Sequence, residues 1–477
     1  MSDNGLECRG CLGRMGRRRF LQGAGAAAAG LMLGGPLPET ARAAGDRSNP
    51  LVRLVFLRPP GKYWLGWPGT AYDVEGHQRE FTARAIEAGK AVGVEVVPNL
   101  EPLYDDQAVA AFIERCKGNR PEAVVVALLH MGTWGQAVNI ANAVTPCVIF
   151  APIGTSFTGH TLGISRQKGV NVVSSLDAAD LRFPLKMVRT AFELRQQRIL
   201  RVTGDATSDS VLDTVGIKLR HIPRRMFHEL FDQTPETDAV RALADEVAAG
   251  AKEIREPNRA DILNASRTYF TIKKLLADNE ATAAAIDCLG MVGGRLVPTP
   301  PCMAFSRLND ERITAACEAD LMAAVSLLFV SHLFDRPGFQ QDPVWESTHN
   351  RFVGAHCTSA TRLDGYDKPR MPYILRHHAE SDLGVSMQVL WRVGQRFTMV
   401  DFQSPSSLIV DRGTVVGNID TPPAGGCRTQ VLCEMDTLRD ARDTQGFHQV
   451  MFYGDYLQAV RDYCQLYGID ARTSGEA

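Results

Sequence analysis

The chain lacks several features that would assign it quickly to a class. Beyond the first 43 residues, no apolar run approaches the about 20 residues that a membrane-spanning helix needs. No GxGxxG turn follows a strand and no phosphate-binding loop is present, so we expect no nucleotide cofactor. Lysine plus arginine (52) nearly balances aspartate plus glutamate (54), so we expect no nucleic-acid partner.

Cysteine is present, but it shows no disulfide pattern. Cys8 and Cys11 precede the export signal described below, and no second pair lies nearby to complete a metal site with them. The other nine of the 11 cysteines are scattered from Cys116 to Cys464. We expect most of them to be buried free thiols, even in an oxidising compartment.

The N-terminus has the features of a twin-arginine export signal. The segment 17–21 combines arginines with phenylalanine and leucine, and the short run 23–34, rich in glycine and alanine, leads to a small-residue cleavage site at 41–43. We therefore expect residues 1–44 to be a signal peptide and the twin-arginine translocase to be a partner during export. The protein would act in the periplasm or outside the cell, without a stable membrane span.

Apolar periodicity predicts an α/β chain with two doubly wound, Rossmann-like domains over residues 50–182 and 183–355. Strands and helices alternate in both, and 477 residues suit two or three domains. The predicted strands are 52–57, 94–97, 123–129, 147–151, 199–202, 216–221 and 285–288. The predicted helices are 80–92, 185–197, 237–251 and 258–278.

The remaining part of the chain has a different pattern. From about residue 356, short alternating segments are separated by turn residues such as Gly413 and the stretch 422–426. We predict that residues 356–477 form a β-rich, barrel-like domain that ends with a helix over 455–467.

Carboxylates and imidazoles in the second half of the chain carry the clearest chemical signal. Glu318 precedes the apolar helical run 321–334, where a helix N-terminus favours an anion. Asp342 lies in a predicted loop, and His356 and His448 follow along the chain. Hard cations prefer carboxylates and Mn²⁺ also accepts imidazole, so these residues predict a divalent-metal site. The alternative is that Glu318 merely caps the helix.

The order of these residues resembles the L-fucose isomerase and L-arabinose isomerase superfamily. The similar sequence segments are Pro301-Cys302, Cys317-Glu318-Ala319-Asp320, 353–357, 377–401 and 446–455. The resemblance covers residues 300–460 well and most of the remaining mature chain weakly. It implies an aldose–ketose isomerase that is a trimer or hexamer, with its sites near subunit contacts.

The resemblance also implies roles for individual residues. In the fucose-isomerase pattern Glu318, Asp342 and His448 would hold Mn²⁺, and the two carboxylates would be the catalytic acid–base pair. The arabinose-isomerase pattern has two glutamates and two histidines, which would add His356 and put Glu346 in place of Asp342. Both ligand sets stay open at this point.

Candidate sugar contacts are fewer. The first α/β domain is expected to contribute them from loops at the carboxyl ends of its strands, with Trp134 and Arg58 as the candidates. His378 is a third candidate, although a histidine pair in a polar segment also suits a solvent-facing loop.

Together these observations predict an exported, Mn²⁺-dependent aldose–ketose isomerase. Fucose and arabinose isomerases normally act in the cytoplasm, so export suggests an unphosphorylated or modified sugar, or an epimerase or lyase that uses the same site. The alternative from another class is a periplasmic sugar-binding protein, which shares the paired α/β scaffold and needs no metal.

Overall fold

The computed structural model describes residues 48–61, 63, 73–420 and 426–477. The predicted signal peptide and most of the predicted turn at 422–426 lie outside these residues. Within the described chain, no helix is both long and apolar enough to cross a membrane. The nine cysteines from Cys116 to Cys464 are free thiols, and all except the half-buried Cys427 are buried, as predicted.

The described residues form strands and α-helices in alternation over most of the chain. The strands are β1 Leu51–Leu57, β2 Glu95–Pro98, β3 Ala123–Leu128, β4 Cys147–Pro152, β5 Val170–Ser175, β6 Arg198–Val202, β7 Ser208–Leu212, β8 Ile217–Ile222, β9 Glu253–Ile254, β10 Ala283–Ile286, β11 Ala315–Cys317, β12 Phe339–Glu346, β13 Arg351–His356, β14 Tyr373–Arg376, β15 Ser386–Val389, β16 Arg396–Ser404, β17 Ser407–Asn418, β18 Thr429–Met435, β19 Gln449–Tyr453 and β20 Asp470–Arg472. The helices are α1 Val74–Ala91, α2 Asp106–Gly118, α3 Trp134–Ala143, α4 Thr158–Thr161, α5 Arg182–Leu194, α6 Arg224–Gln233, α7 Asp238–Gly250, α8 Arg259–Asp278, α9 Cys288–Gly293, α10 Cys302–Asp310, α11 Leu321–Phe334 and α12 Leu457–Leu466.

The first sheet is parallel throughout, with strand order β2-β1-β3-β4-β5. In β1, Val52 and Leu54 face one apolar core while Val55 and Leu57 face another. Because both faces are covered, these strands are continuous apolar runs in the sequence. The predicted Rossmann-like parallel sheet is confirmed here.

The second sheet has the order β11-β10-β6-β8-β7. Its first four members are parallel, and β7 pairs antiparallel with β8 at the edge. Strand β11 ends at Cys317 and α11 begins at Leu321, so Glu318 lies at the carboxyl edge of this sheet. Ligand sites of open α/β sheets are found at this edge.

The third sheet closes into a barrel of six antiparallel strands in the order β16-β19-β12-β13-β18-β17, with β16 and β17 paired. The barrel is as predicted, but it begins earlier, because β12 and β13 precede residue 356. Asp342 therefore lies in a strand, and its predicted place in a loop is wrong. Pro343, which suggested a turn, is tolerated because β12 pairs with β19 only over its first three residues and has one unpaired side beyond them.

The second sheet and the barrel share their apolar cores. One core joins Leu200 and Ile286 of the second sheet to Phe339 and Phe352 of the barrel. A second core surrounds α11, which packs against barrel strands and α5 and is buried on nearly all sides. The carboxyl edge of the second sheet is thereby held against the barrel. The division into three domains with the stated boundaries stays a prediction.

Candidate functional site

Four of the predicted site residues meet where the second sheet contacts the barrel. Glu318 comes from the loop between β11 and α11, Asp342 from β12, His356 from the end of β13, and His448 from the residue before β19. Their side chains are between 4% and 12% exposed. Two carboxylates and two imidazoles are thus gathered at a place with little exposure to solvent.

The backbone directs Glu318 toward the histidines. Glu318 and Ala319 have φ values of 57° and 53°, in the left-handed region that residues other than glycine rarely adopt. The side chain of Gln340 holds Cys317 through its backbone N–H (2.8 Å) and C=O (3.3 Å) just ahead of this turn. Arg201 Nε donates to the carbonyl of Ala319 (3.0 Å) just after it. Strained backbone that is held from both sides is typical of functional sites.

Asp320 performs the capping role that the sequence left open for Glu318. Its Oδ1 accepts hydrogen bonds from the amides of Met322 (2.8 Å) and Ala323 (2.9 Å) at the start of α11. Its Oδ2 lies 2.7 Å from Nδ1 of His448. The same carboxylate therefore caps the helix and orients the imidazole, so the cap of α11 is Asp320 and not Glu318.

The distances between the four side chains leave room for a ligand. His356 Nε2 is 3.9 Å and His448 Nε2 is 3.7 Å from the two oxygens of Glu318, and His448 Nε2 is 3.3 Å from Asp342 Oδ1. Among the described residues, neither Nε2 atom has a hydrogen-bond partner. Because buried polar atoms are nearly always satisfied, two such nitrogens facing carboxylates fit a metal or a bound oxygen compound.

The two histidines differ in their protonation. Burial lowers the pKa of His448, but the hydrogen bond and charge of Asp320 outweigh burial and raise it above the ordinary value. Nδ1 of His448 faces a carboxylate and therefore carries a proton, so Nε2 is the atom that can bind a ligand whenever the ring is neutral. In contrast, Nδ1 of His356 accepts the N–H of Cys357 (2.8 Å), and burial lowers the pKa of His356 to about 4. The neutral His356 ring therefore carries its proton on Nε2.

Sequence reasoning missed two acids in this region. Asp320 was visible only as part of the motif, and its contact with a histidine 128 residues away depends on the tertiary fold. Asp401, in β16, is buried, and burial together with the negative charge of Asp320 raises its pKa to about 7. An acid directly between the apolar residues Val400 and Phe402 of a predicted strand was the available signal for Asp401.

Two of the predicted sugar contacts belong to the first sheet and the helices that cover it. Arg58 Nη2 pairs with Glu75 of α1 (3.0 Å), and Nε1 of Trp134, at the start of α3, donates to the carbonyl of Thr155 (2.9 Å). His378 is buried and lies beside two cysteines. Among the described residues, no hydrogen bond or ion pair joins Arg58 or Trp134 to the four residues around Glu318. Besides burial, the charge of His378 helps to lower the pKa of His356, so His378 lies near those four residues. The role of all three residues in sugar binding stays a prediction.

No protein-family model matches the chain. The chain is similar to sulfoquinovose isomerase from Clostridium sp. (strain MSTE9), with 28% identity over 167 residues. The match covers 33% of this chain, which spans about a third (35%) of the length of that relative. This distant and partial similarity supports the resemblance to the sugar-isomerase superfamily.

Proposed function

We propose that the protein is a metal-dependent aldose–ketose isomerase that acts on an unphosphorylated or modified sugar. The observation that carries the proposal is the convergence of two buried carboxylates on the Nε2 atom of His448, with the Nδ1 atom of that ring held by a third carboxylate. The sugar-isomerase relative supports the same reaction class.

Glu318, Asp342 and His448 are the residues that would hold the metal, and two carboxylates with one imidazole suit Mn²⁺. His356 is a weaker candidate, because its Nε2 proton would compete with a cation for the same position. When bound, the cation would supply positive charge beside the sugar oxygens on which negative charge develops. This ligand set corresponds to the fucose-isomerase pattern.

The chain's own groups account for the proton movements. Isomerisation removes a proton from the carbon next to the carbonyl and returns one to the neighbouring carbon, and Glu318 and Asp342 face the same space from opposite elements. The N–H at Nε2 of His356 can donate to a sugar oxygen. Burial of all three side chains keeps water from competing for these protons.

The choice of sugar follows from the comparison. Because the relative is named a sulfoquinovose isomerase, sulfoquinovose is the first substrate to test, ahead of neutral aldoses and ketoses. An epimerase or lyase on a modified sugar would need the same proton removal and would differ only in the product.

Export and assembly belong to the same proposal. The twin-arginine signal in the sequence supports action in the periplasm or outside the cell. Ile153, Phe157 and Leu162, which follow β4, are each more than half exposed, and such apolar residues support a homo-oligomer. In a trimer or hexamer, the end of β1 with Arg58 and the start of α3 with Trp134 would be available to a neighbouring subunit's site.

The experiment is proton exchange in D₂O. We would incubate Mn²⁺-loaded protein with sulfoquinovose and a panel of aldoses and ketoses, and follow deuterium entering at C1 or C2 by NMR. We expect incorporation that disappears with chelator and in Glu318→Gln and Asp342→Asn, and that persists in Glu346→Gln. Glu346 is the matched control, because it is the alternative carboxylate of the arabinose pattern and, within the described part of the chain, its hydrogen bonds are to local groups at 348 and 349.

The outcomes separate the alternatives. Incorporation at C2 without ketose formation would indicate an epimerase, and loss of a substituent would indicate a lyase. Sugar affinity that needs no metal, with no exchange across the panel, would contradict the isomerase and favour a sugar-binding protein.

A further inference from the structure

A second group of candidate metal ligands lies next to the first. Cys302, Cys357 and His378 each place a ligand atom within 4.8 Å of the other two, and all three residues are buried. Cys302 begins α10, Cys357 follows β13 and His378 follows β14, so three separate segments of the chain converge. The proposed isomerase reaction uses none of them.

A fourth residue completes the group. The thiols of Cys302 and Cys427 both hydrogen-bond to that of Cys357. Cys427 precedes β18 and is half-buried, so it lies at the outer side of the group. We call these four residues the sulfur cluster: Cys302, Cys357, Cys427 and His378.

The composition and spacing of the sulfur cluster suit zinc. Three cysteines and one histidine are a common ligand set of closed, four-coordinate zinc sites. With Zn–S bonds of about 2.3 Å, neighbouring ligand atoms of a tetrahedral site are roughly 3.8 Å apart. The ligand atoms of Cys302, Cys357 and His378 already lie within 4.8 Å of one another, so these three need only a small contraction. Soft thiolates also favour zinc over manganese, so this site would not compete for the metal of the carboxylate site.

The histidine of the sulfur cluster is oriented for a metal. Nδ1 of His378 lies 3.0 Å from the hydroxyl of Ser381. A hydrogen bond on one ring nitrogen leaves the other free to bind and fixes the plane of the ring, as in most metal-binding histidines. His378 would thus bind through Nε2.

We propose that the sulfur cluster is a structural zinc site, separate from the site around Glu318. The zinc joins the start of α10 to the ends of β13 and β14 and to the entry of β18. Because Cys357 directly follows His356, the zinc also fixes the end of β13 and with it the imidazole that faces Glu318. A site with four protein ligands keeps no open position, so it stabilises structure and does not bind substrate. The proposal does not depend on the isomerase reaction.

The test uses the full chain, purified without chelator. We expect about one zinc per chain by metal analysis. After exchange with Co²⁺, we expect the strong visible bands of a tetrahedral site and a sulfur-to-cobalt charge-transfer band in the near ultraviolet. The carboxylate–histidine site contains no sulfur, so it cannot give the charge-transfer band.

Variants assign the signal to residues. The charge-transfer band and the zinc should persist in Glu318→Gln and in Cys464→Ser, a buried cysteine outside the cluster. In Cys302→Ser the zinc content should fall by at least roughly tenfold. If that variant does not fold, the wild-type cobalt spectrum decides the question by itself.

Three results would overturn the proposal. The first is a cobalt-loaded wild-type protein without a charge-transfer band. The second is zinc that is lost in Glu318→Gln and retained in Cys302→Ser. The third is a mass deficit of two hydrogens mapped to the sulfur cluster, because a disulfide there would leave too few thiolates for zinc.

Discussion

Replacing Asp320 by asparagine should separate the capping of α11 from the preparation of His448 for a metal. Oδ1 of Asp320 accepts from two backbone amides and Oδ2 faces Nδ1 of His448. Asparagine keeps an oxygen for the amides and is as good an N-cap as aspartate. Its NH₂ group would then occupy the position of Oδ2 and point at the imidazole.

The substitution of Asp320 by asparagine reverses the tautomer of His448. An amide N–H can be accepted only by an unprotonated Nδ1, so the neutral ring must carry its proton on Nε2, the atom that faces Glu318 and Asp342. Loss of the outer hydrogen bond of a metal-binding histidine typically costs 10–100-fold in affinity, or about 1.4–2.7 kcal/mol. We expect Asp320→Asn to weaken Mn²⁺ binding by about 100-fold.

The same substitution should leave the fold almost unchanged. Because the cap remains, we expect the free energy of unfolding of the metal-free protein to change by less than about 1 kcal/mol. Asp320→Ala should lose about 1 kcal/mol from the cap and a further 1.5–3 kcal/mol, roughly, from the hydrogen bond to the charged group. Asp320→Asn would thus lose Mn²⁺ affinity while keeping its stability, whereas Asp320→Ala would lose both.

Titration with Mn²⁺, followed by electron paramagnetic resonance, and urea unfolding of the metal-free protein measure the two quantities. Asp105→Asn is the matched control, because Asp105 caps α2 through the amide of Ala108 (2.8 Å). A folded Asp320→Asn protein that binds Mn²⁺ as tightly as the wild type would refute the assignment of His448 Nε2 as a ligand.

Three further predictions concern stability. Burial raises the pKa of Glu193, but hydrogen bonds from His332 and an arginine lower it below the ordinary value. The ionised carboxylate therefore stabilises the fold above the unfolded pKa of about 4.3. This stabilisation is lost as the pH falls through the folded pKa. Urea midpoints should show Glu193→Gln destabilised by about 1 kcal/mol at neutral pH and by less in acid. Phe329→Ala, deep in the core around α11, should cost about 3–5 kcal/mol in the same assay. Gly384→Ala should cost about 1–3 kcal/mol in thermal unfolding, because φ is +54° and the new methyl group would meet Thr299.

The secondary structure was largely predictable because burial leaves a direct mark on the sequence. The helix over 321–334 was predicted with the bounds that the structure shows, since a fully buried helix is apolar on every side. The error at Asp342 came from a local rule, because Asp-Pro usually marks a turn. Whether a proline fits a strand depends on the neighbouring strand, and β19 is more than 100 residues away in the sequence.

The members of the candidate site could be proposed from the sequence, but their geometry could not. The order of Glu318, Asp342 and His448 was visible, whereas the left-handed backbone at Glu318 and the second contact of Asp320 arise only from packing. The sulfur cluster was hidden for the same reason. Its members come from four segments, so no CxxC spacing marks them in the sequence.

The contact between the carboxyl edge of the second sheet and the barrel has a consequence for the cooperativity of unfolding. Glu318 belongs to the second sheet, and Asp342 and His448 belong to the barrel. Any ligand held by all three therefore binds only chains in which the sheet and the barrel are assembled against each other. Such a ligand adds a free energy of RT ln(1 + [L]/Kd) to that assembled state and nothing to partly opened ones. Partial opening of the barrel away from the second sheet would then cost the full binding energy, so occupancy of the site would tighten the coupling that their shared apolar cores already provide.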